Sequence, residues 1–480
     1  MVFASLTFLY IFLPLNLLLY YSTKNATWRN LILTIFSFVF YAWGEPIWIA
    51  LLFLTALIDY ANGRFIEANR GKRIAKIGVI CSLVFNIGTL LTFKYSAFIV
   101  SNVNDLLGTD FTVPGFALPI GISFYTFQSI SYVMDVYTGK VTGQKSLLKF
   151  LMFVSLYHQL VAGPIVRYVH IANEIDKRRF NIVDISAGVT RFLVGLFKKV
   201  CVANVAGVFV QKYLAEAAPG QVDPLAGLSV AEGWFGIIMF TIQIYFDFSG
   251  YSDMAIGLGR MFGFHYYENF NYPYIAKSAT DFWRRWHISL STWFRDYIYI
   301  PLGGNKNHGL RNLFIVWLLT GIWHGGANGA CWNYILWGLF WGLLILLERV
   351  FFGNILRKIP AFFGHIYLLI AMVLSWALFY FTDMDRLWHF LSIIFGATDN
   401  KLISFEFKIV FQENLYWMLF AIIMCMPVYL YIHRYAKRQL VIGYSNMWWT
   451  INFCVNIILL GLATMMLVGT TYNPFIYYRF

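Results

Sequence analysis

The stretch Leu313-Phe-Ile-Val-Trp-Leu-Leu-Thr-Gly-Ile-Trp-His324-Gly-Gly326 is an apolar run that ends at a histidine. At a rise of about 1.5 Å per residue, a helix carries His324 roughly 20 Å from Arg311. That depth lies inside a hydrocarbon core about 30 Å thick. The glycines predict a break before Trp332–Leu347 resumes as the second arm of a hairpin, and irregular backbone at that depth needs protein or a water-filled cavity around it. The pattern predicts a membrane protein with His324 beside a cavity; a helix-packing hydrogen bond is the alternative role.

Composition extends this prediction to the whole chain. Of its 480 residues, 59% are hydrophobic and only 12% are charged, whereas soluble domains carry about 25% charged residues. We expect an all-α polytopic membrane protein of about 11 transmembrane helices, some of them short, re-entrant or interfacial, forming a single domain over residues 1–480. The first run has no cleavage-site pattern and is predicted to be a retained helix. The clearest apolar runs are Leu6–Tyr21, Leu31–Leu57, Ile77–Leu91, Ile185–Phe209, Trp234–Phe248, Tyr367–Phe381, Leu415–Ile432 and Ile451–Val468.

We interpret the net charge of +13 as a determinant of the chain's orientation in the membrane and not as a sign of a nucleic-acid interface. Basic residues gather in the short loops around Arg64–Lys76, Lys177–Arg179 and Arg434–Arg438, and positive loops mark the cytoplasmic side. If three helices precede the first of these loops, the N-terminus lies outside. The last helix starts from an inside loop, so the C-terminus is also predicted to lie outside. The five cysteines show no CxxC spacing, so they indicate neither a disulfide framework nor a zinc site.

A second histidine lies in a more polar segment. Ser278-Ala-Thr-Asp281 has the form of a capping box and predicts the start of a helix. Helical spacing then places one apolar face on Trp283, His287, Leu290 and Phe294. We expect this amphipathic helix to lie at the cytoplasmic interface or in a shallow funnel, with His287 facing the interior. A core histidine bound to a backbone carbonyl is the alternative.

Two histidines in a membrane cavity suit proton transfer. A neutral imidazole can take a proton from a hydroxyl near pH 7, and the oxygen can then attack an acyl thioester, while the second histidine orients the acceptor or stabilises the oxyanion. Without a third ligand nearby, no metal site is predicted. The carboxylates of Asp247 and Asp253 must pair or sit in a wet cavity. The alternative function is a proton-coupled transporter or flippase, which favours inverted repeats; only one irregular block, at about 245–348, is seen.

Several long motifs resemble the membrane-bound O-acyltransferase family, most closely its bacterial alginate O-acetylation and teichoic-acid D-alanine exporter branch. The resemblance implies a ring of helices around a central tunnel, where a cytoplasmic acyl donor meets an extracytoplasmic acceptor. Tyr157-His158 departs from the Phe-Pro more usual in the alginate branch. The motifs are Leu118–Phe127, Leu160–Ile165, Tyr245–Asp253, Asp281–Asp296, Tyr299–Gly304 and Trp323–Gly325.

The resemblance also implies roles for particular residues. His324 matches the family's near-invariant histidine, and His287 matches its second, more variable one; both are predicted to be catalytic. The catalytic core is expected at about 245–348. The same motifs supply candidate substrate-binding residues, namely Trp286, Ser289, Trp293, Asp296, Asp247, Trp323 and Asn271.

The tail Pro474-Phe-Ile-Tyr-Tyr-Arg-Phe480 resembles a C-terminal motif of this branch in which a tyrosine accepts the acyl group as a relay. Tyr477 holds that position, and an interfacial aromatic anchor is its alternative role. The resemblance implies the bacterial inner membrane, contact with membrane lipid, no bound cofactor, and an acyl thioester co-substrate, either acetyl-CoA or an acyl carrier protein. It also implies an exported SGNH-type partner. Alginate-like polymer, cellulose, peptidoglycan and teichoic acid all stay open as acceptors.

Overall fold

The computed structural model describes residues 1–218, 220–325, 331–439, 444–469 and 476. Within these ranges the chain is helical and contains no β-strand, so the predicted all-α class is confirmed. In chain order the α-helices are α1 Leu13–Tyr21, α2 Ala26–Gly44, α3 Ile49–Ala68, α4 Ala75–Leu90, α5 Ser96–Leu107, α6 Ile122–Tyr137, α7 Leu147–Ser155, α8 Tyr157–Leu160, α9 Tyr168–Asp176, α10 Ile182–Phe197, α11 Asn204–Leu214, α12 Val230–Met261, α13 Ala279–Trp283, α14 Ile288–Phe294, α15 Gly309–Trp323, α16 Trp332–Leu347, α17 Gly353–Lys358, α18 Ala361–Tyr380, α19 Met384–Ile394, α20 Phe405–Met424, α21 Val428–Gln439 and α22 Tyr444–Gly469.

Seven helical stretches in the described ranges are long and apolar enough to cross a membrane. Three of them join two α-helices through a π-helical turn, and shorter apolar helices such as Gly309–Trp323 add to the bundle. The prediction of a polytopic membrane protein is confirmed, while the number of 11 helices stays a prediction. The seven are Ile49–Ala68, Ala75–Leu107, Ile182–Leu214, Trp332–Lys358, Ala361–Tyr380, Phe405–Met424 and Trp449–Gly469.

Helix α12 forms the centre of the bundle, and almost all of its 32 residues are buried. Ser229 and Glu232 start it with a reciprocal capping box. Glycines bring it into backbone contact with α10, since a Cβ added to Gly195 would lie 2.5 Å from the carbonyl oxygen of Gly250. Small residues at such crossings let membrane helices approach closely.

Helices α15 and α16 pack as the predicted hairpin. A Cβ added to Gly321 would lie 2.6 Å from the carbonyl oxygen of Tyr334, and one added to Gly338 would lie 2.6 Å from that of Trp317. At the other end of the pair, the guanidinium of Arg349 lies beside Gly309. This crossing places the residue that follows Trp323 at the closed end of the hairpin.

The prediction of one continuous amphipathic helix after Ser278 is wrong. Ser278 does cap α13 by accepting a hydrogen bond from the backbone N–H of Asp281 (3.0 Å). The helix then ends at Trp283, and His287 adopts a left-handed backbone conformation (φ 43°) before α14 begins. The reason is tertiary: the backbone N–H of Ile288 donates to the carbonyl of Asn269 at 3.0 Å, in place of a helical hydrogen bond.

Candidate active site

His324 follows the last residue of α15 and is 1% exposed. Its imidazole contacts the rings of Trp323 and Trp337, each at a centroid distance of 4.8 Å, and that of Phe379 at 5.6 Å. Neither ring nitrogen has a hydrogen-bond partner among the described residues. Among the described residues, His324 therefore makes no helix-packing hydrogen bond, which was the alternative role for it.

His287 is fully buried, and its hydrogen bonds define its protonation. Its Nδ1 lies 3.1 Å from Oδ1 of Asn269. The Oδ1 atom of Asn269 also accepts hydrogen bonds from the backbone N–H (3.2 Å) and the hydroxyl (2.8 Å) of Ser289. Because a backbone N–H can only donate, this Asn269 atom must be the carbonyl oxygen, and Nδ1 of His287 must carry the proton. In the neutral ring Nε2 is then an acceptor, and it has no partner within the described part of the chain.

Trp323 connects the two histidines. Its ring centroid lies 4.8 Å from that of His324 and 6.1 Å from that of His287. On α14, Trp293 stacks on Phe127 at 4.0 Å, and Phe127 stacks on Trp323 at 5.5 Å. The indole N–H of Trp293 also donates to the carbonyl of Phe127 (3.1 Å). Two of the predicted binding residues therefore hold α14 against the closed end of the hairpin.

Aromatic side chains surround this centre on the remaining sides. Trp286, which is 1% exposed, lies 5.0 Å from Trp376 between ring centroids. Trp376 in turn contacts Trp337 on α16. Over the described ranges, several buried indole N–H groups have no hydrogen-bond acceptor: those of Trp283, Trp323, Trp337, Trp341 and Trp376.

Lys94 belongs to the site, and the sequence reading missed it. It lies in the π-helical turn Leu91–Tyr95 and is 2% exposed. Its ammonium donates to the carbonyl of Trp323 (2.6 Å) and to the Ser123 hydroxyl (3.2 Å). It forms no ion pair with a described carboxylate. A lysine directly after the apolar run Ile77–Leu91 was the available signal, because a charge at membrane depth indicates function by default.

A cavity of about 410 Å³ is lined in part by Ser289, which also binds Asn269. Asp296 in its wall is shared by two guanidiniums, those of Arg167 and Arg295, each at 2.7 Å. Burial would raise the pKa of Asp296, but the hydrogen bonds and charges of both arginines outweigh it and lower that pKa. The lining residues are Pro164, Ile165, Val166, Arg167, His170, Tyr266, Tyr267, Glu268, Ile288, Ser289, Thr292, Arg295 and Asp296.

His170 in the same wall adds no positive charge at neutral pH. Burial, with a smaller effect of the neighbouring Arg167 charge, lowers the pKa of His170 to about 4. Two guanidiniums then share one carboxylate at Asp296, so this group carries one excess positive charge.

Asp247, a predicted substrate-binding residue, lies elsewhere on α12. It forms an ion pair with Lys199 (2.6 Å) and accepts a hydrogen bond from the backbone N–H of Ile476 (2.7 Å). The C-terminal segment therefore reaches a buried carboxylate. Tyr477, the predicted relay, lies outside the described residues.

Asn271 is not brought to the histidines. It is exposed, and its backbone exchanges hydrogen bonds with Arg285. Asn269, two residues earlier, contacts His287 instead. No group of three or more His, Cys, Asp or Glu side chains suited to a metal ion is found among the described residues.

The model of the membrane-bound O-acyltransferase family matches residues 141–388, which is more than half of the chain. The chain belongs to this family and is a multi-pass membrane O-acyltransferase that uses an acyl donor. Family membership favours the enzyme over the transporter alternative.

The names of its relatives refer to alginate, peptidoglycan or teichoic acid. The chain is 39% identical to a probable alginate O-acetylase of Pseudomonas aeruginosa over 404 residues, which are 82% of this chain and 75% of the relative. It is 34% identical to a peptidoglycan O-acetyltransferase of Helicobacter pylori over 72% of this chain and 69% of the relative. A teichoic acid D-alanyltransferase of Bacillus subtilis is 28% identical over 48% of this chain and 59% of the relative.

Proposed function

We propose that this protein transfers an acetyl group from a cytoplasmic thioester through the inner membrane for O-acetylation of an exported or cell-envelope polysaccharide. The observation that carries the proposal is the pair of buried imidazoles, His287 and His324: both rings pack against Trp323, and each has a ring nitrogen without a hydrogen-bond partner among the described residues. Acetyl is favoured over D-alanine because the relatives named as acetylases match more of this chain, at higher identity.

The two histidines suit different roles. His324 follows the C-terminus of α15, where a positive charge is favourable, whereas His287 precedes the N-terminus of α14, where it is unfavourable. We therefore assign His324 as the general base that becomes a cation. His287 stays neutral, and its Nε2 accepts a hydrogen bond from the acceptor hydroxyl and orients it.

The transfer then proceeds in balanced steps. His324 takes the proton of the acceptor hydroxyl, and the oxygen attacks the carbonyl carbon of the thioester. The carbonyl electron pair moves onto its oxygen and returns as the carbon–sulfur bond breaks. The leaving thiolate takes the proton from the imidazolium, which restores neutral His324.

The cavity beside Ser289 fits the donor side. Glu268 in its wall is paired with Arg191, and the one excess positive charge of the group formed by Arg167, Arg295 and Asp296 favours the phosphate of a pantetheine arm, on either coenzyme A or an acyl carrier protein. Helix α9 runs from this wall into the basic loop Lys177–Arg179, which supports a cytoplasmic opening. The histidines do not line the cavity, so the side chains between Ser289 and Trp323 must separate for the thioester to reach them.

The acceptor side involves the C-terminal segment. The bond from Ile476 to Asp247 supports a tail that enters the bundle from the exterior face. In this proposal Tyr477 receives the acetyl group as an ester, and an exported SGNH-type partner exchanges that ester onto a sugar hydroxyl. A Tyr477→Phe variant that still acetylates the polymer fully would eliminate the relay and leave direct transfer.

The proposal is tested in a strain that produces the polysaccharide, with ester-linked acetate measured per unit of polymer. We expect His324→Ala to make normal amounts of polymer without ester. The control is His365→Ala, which should keep normal ester content. His365 lies on α18, and its imidazole binds the carbonyl of Ala276 (3.0 Å). Unchanged ester in the His324 variant, or lost polymer export, would refute the proposal.

A further inference from the structure

We propose that Lys94 is a positioning residue for His324: it holds the peptide unit that carries this histidine in place next to the reacting centre. This inference rests on the proposed role of His324 as the base. The carbonyl of Trp323, to which Lys94 donates at 2.6 Å, belongs to the same peptide plane as the backbone nitrogen of His324. Displacing the ammonium therefore displaces the histidine directly.

The end of α15 is held by two neighbouring residues of one turn. Lys94 binds the carbonyl of Trp323, and Tyr95 donates its hydroxyl to the carbonyl of Ile322 (3.0 Å). Both residues lie in the π-helical turn Leu91–Tyr95, a distortion that occurs frequently at functional sites. Carbonyls at a helix C-terminus lack intrahelical partners, so this turn supplies what α15 itself cannot.

Lys94 makes more contacts than helix capping requires. Tyr95 shows that a neutral hydroxyl satisfies the adjacent carbonyl in the same surroundings. A buried lysine is more expensive to keep, and its Nζ also donates to the Ser123 hydroxyl on α6, so it ties the end of α15 to a second helix. The same Nζ lies 5.6 Å from the centroid of the Trp323 ring that His324 contacts. Lys94 therefore contacts both the backbone and the ring of the residue that precedes His324.

The inference predicts an effect on turnover rather than on donor binding. Lys94 contacts Trp323 and Ser123 and does not line the cavity assigned to the donor. A shift of His324 by about 1 Å is enough to lower the rate roughly 100-fold. The KM for the donor should stay close to that of the wild type.

The experiment compares Lys94→Met, Lys94→Arg and Tyr95→Phe in the full-length protein in membrane vesicles supplied with radiolabelled acetyl-CoA. Ester formation in the polysaccharide gives kcat and KM, and an epitope tag gives the amount of protein. We expect Lys94→Met to lose roughly 100-fold in kcat at unchanged KM, Lys94→Arg to recover most of that loss, and Tyr95→Phe to lose far less than Lys94→Met. Tyr95→Phe is the matched control because it removes the bond to the adjacent carbonyl while Lys94 still holds the peptide unit of His324.

Equal kcat values for Lys94→Met and Tyr95→Phe would overturn the inference, as would an Arg variant no better than the Met variant. If Lys94→Met fails to accumulate, Lys94→Gln keeps a donor on a shorter side chain that cannot reach the Trp323 carbonyl, and it must still fall below Lys94→Arg. His324→Ala is run in parallel: if it remains active, the proposed base is wrong, whereas an inactive His324 variant beside a fully active Lys94→Met removes Lys94 alone. If the wild type does not use acetyl-CoA, ester content per cell replaces kcat in every comparison.

Discussion

Two polar regions are buried among the helices of this protein, and they differ in how their charges are satisfied. Between α10 and α12, Asp253 binds both Arg191 (2.6 Å) and Lys198 (2.7 Å). One and a half turns away, Asp247 binds Lys199. In this ion-paired region each of the three cations meets a carboxylate.

The region around the end of α15 is the opposite case. His324 has two ring nitrogens without partners in the described structure, and Nε2 of His287 is likewise unpartnered. Lys94 is held by a carbonyl and a hydroxyl rather than by a carboxylate. Buried polar groups without partners cost free energy, commonly about 1–3 kcal/mol each. The comparison indicates that the first region holds helices together and the second is kept for chemistry.

The largest expected effect is on stability, in the ion-paired region. Asp253→Asn removes the buried carboxylate that binds Lys198, while Arg191 keeps its pair with Glu268, so it should lower the free energy of unfolding by about 3 kcal/mol. Thermal unfolding in nanodiscs measures the change. The control, Asp176→Asn, removes the exposed pair with Lys149 and should change stability by no more than about 1 kcal/mol. Similar melting temperatures for the two variants would contradict a structural role for the buried pairs.

The next effect is on turnover, in the histidine region. His287→Gln removes the ring acceptor and should lower kcat by about 100-fold while the melting temperature stays near that of the wild type. Ester formation in vesicles measures the rate. Asn269→Ala keeps the ring but removes the partner of its Nδ1, so it should cause part of the same loss. A His287 variant that loses stability but not turnover would place this histidine with the structural region.

A smaller effect separates two tryptophans on one face of α16. Trp337 and Trp341 are both fully buried with unpartnered indole N–H groups, but only Trp337 contacts His324. Trp337→Phe removes a donor beside the reacting centre and should lower kcat roughly tenfold. Trp341→Phe should change the free energy of unfolding by about as much as Trp337→Phe does, and it should leave kcat unchanged. Equal rates in these two variants would show that the indole donors serve packing only.

The smallest effect concerns donor binding in the cavity. Arg167→Met should raise the KM for acetyl-CoA several-fold at unchanged kcat, because it removes the excess positive charge near Asp296. His170 is neutral well above its pKa of about 4, so its protonation should not change KM between about pH 6 and 8. A KM that falls steeply as the pH is lowered through that window would show that His170 titrates there and contributes charge.

Some features of the site were predictable because they depend on local spacing. The apolar run before His324 and the glycine after it predicted a histidine at a helix end, and Ser278 predicted the start of α13. The apolar run Ile185–Phe209 contains three basic residues that its hydropathy does not account for. The structure explains them, since Arg191, Lys198 and Lys199 meet the carboxylates of α12.

Other features depend on contacts between distant parts of the chain. Nothing in the local pattern indicated that Lys94 would bind a carbonyl 229 positions away. The continuous helix predicted through His287 fails because Asn269 and Asn271 take up backbone groups of residues 285 and 288. The same contacts make Asn269 the partner of His287, whereas Asn271, a predicted substrate-binding residue, is exposed.

The sequence by itself determined that this is an all-helical membrane protein with one histidine, His324, at the interruption of an apolar segment, because hydropathy and helix-breaking residues act over a few turns. Only the tertiary structure decided which atoms surround this histidine and His287. Proton transfer depends on hydrogen-bond partners at about 3 Å, and such distances arise from the packing of helices far apart in the chain. The tautomer of His287 and the lysine that holds the peptide of His324 are both consequences of that packing.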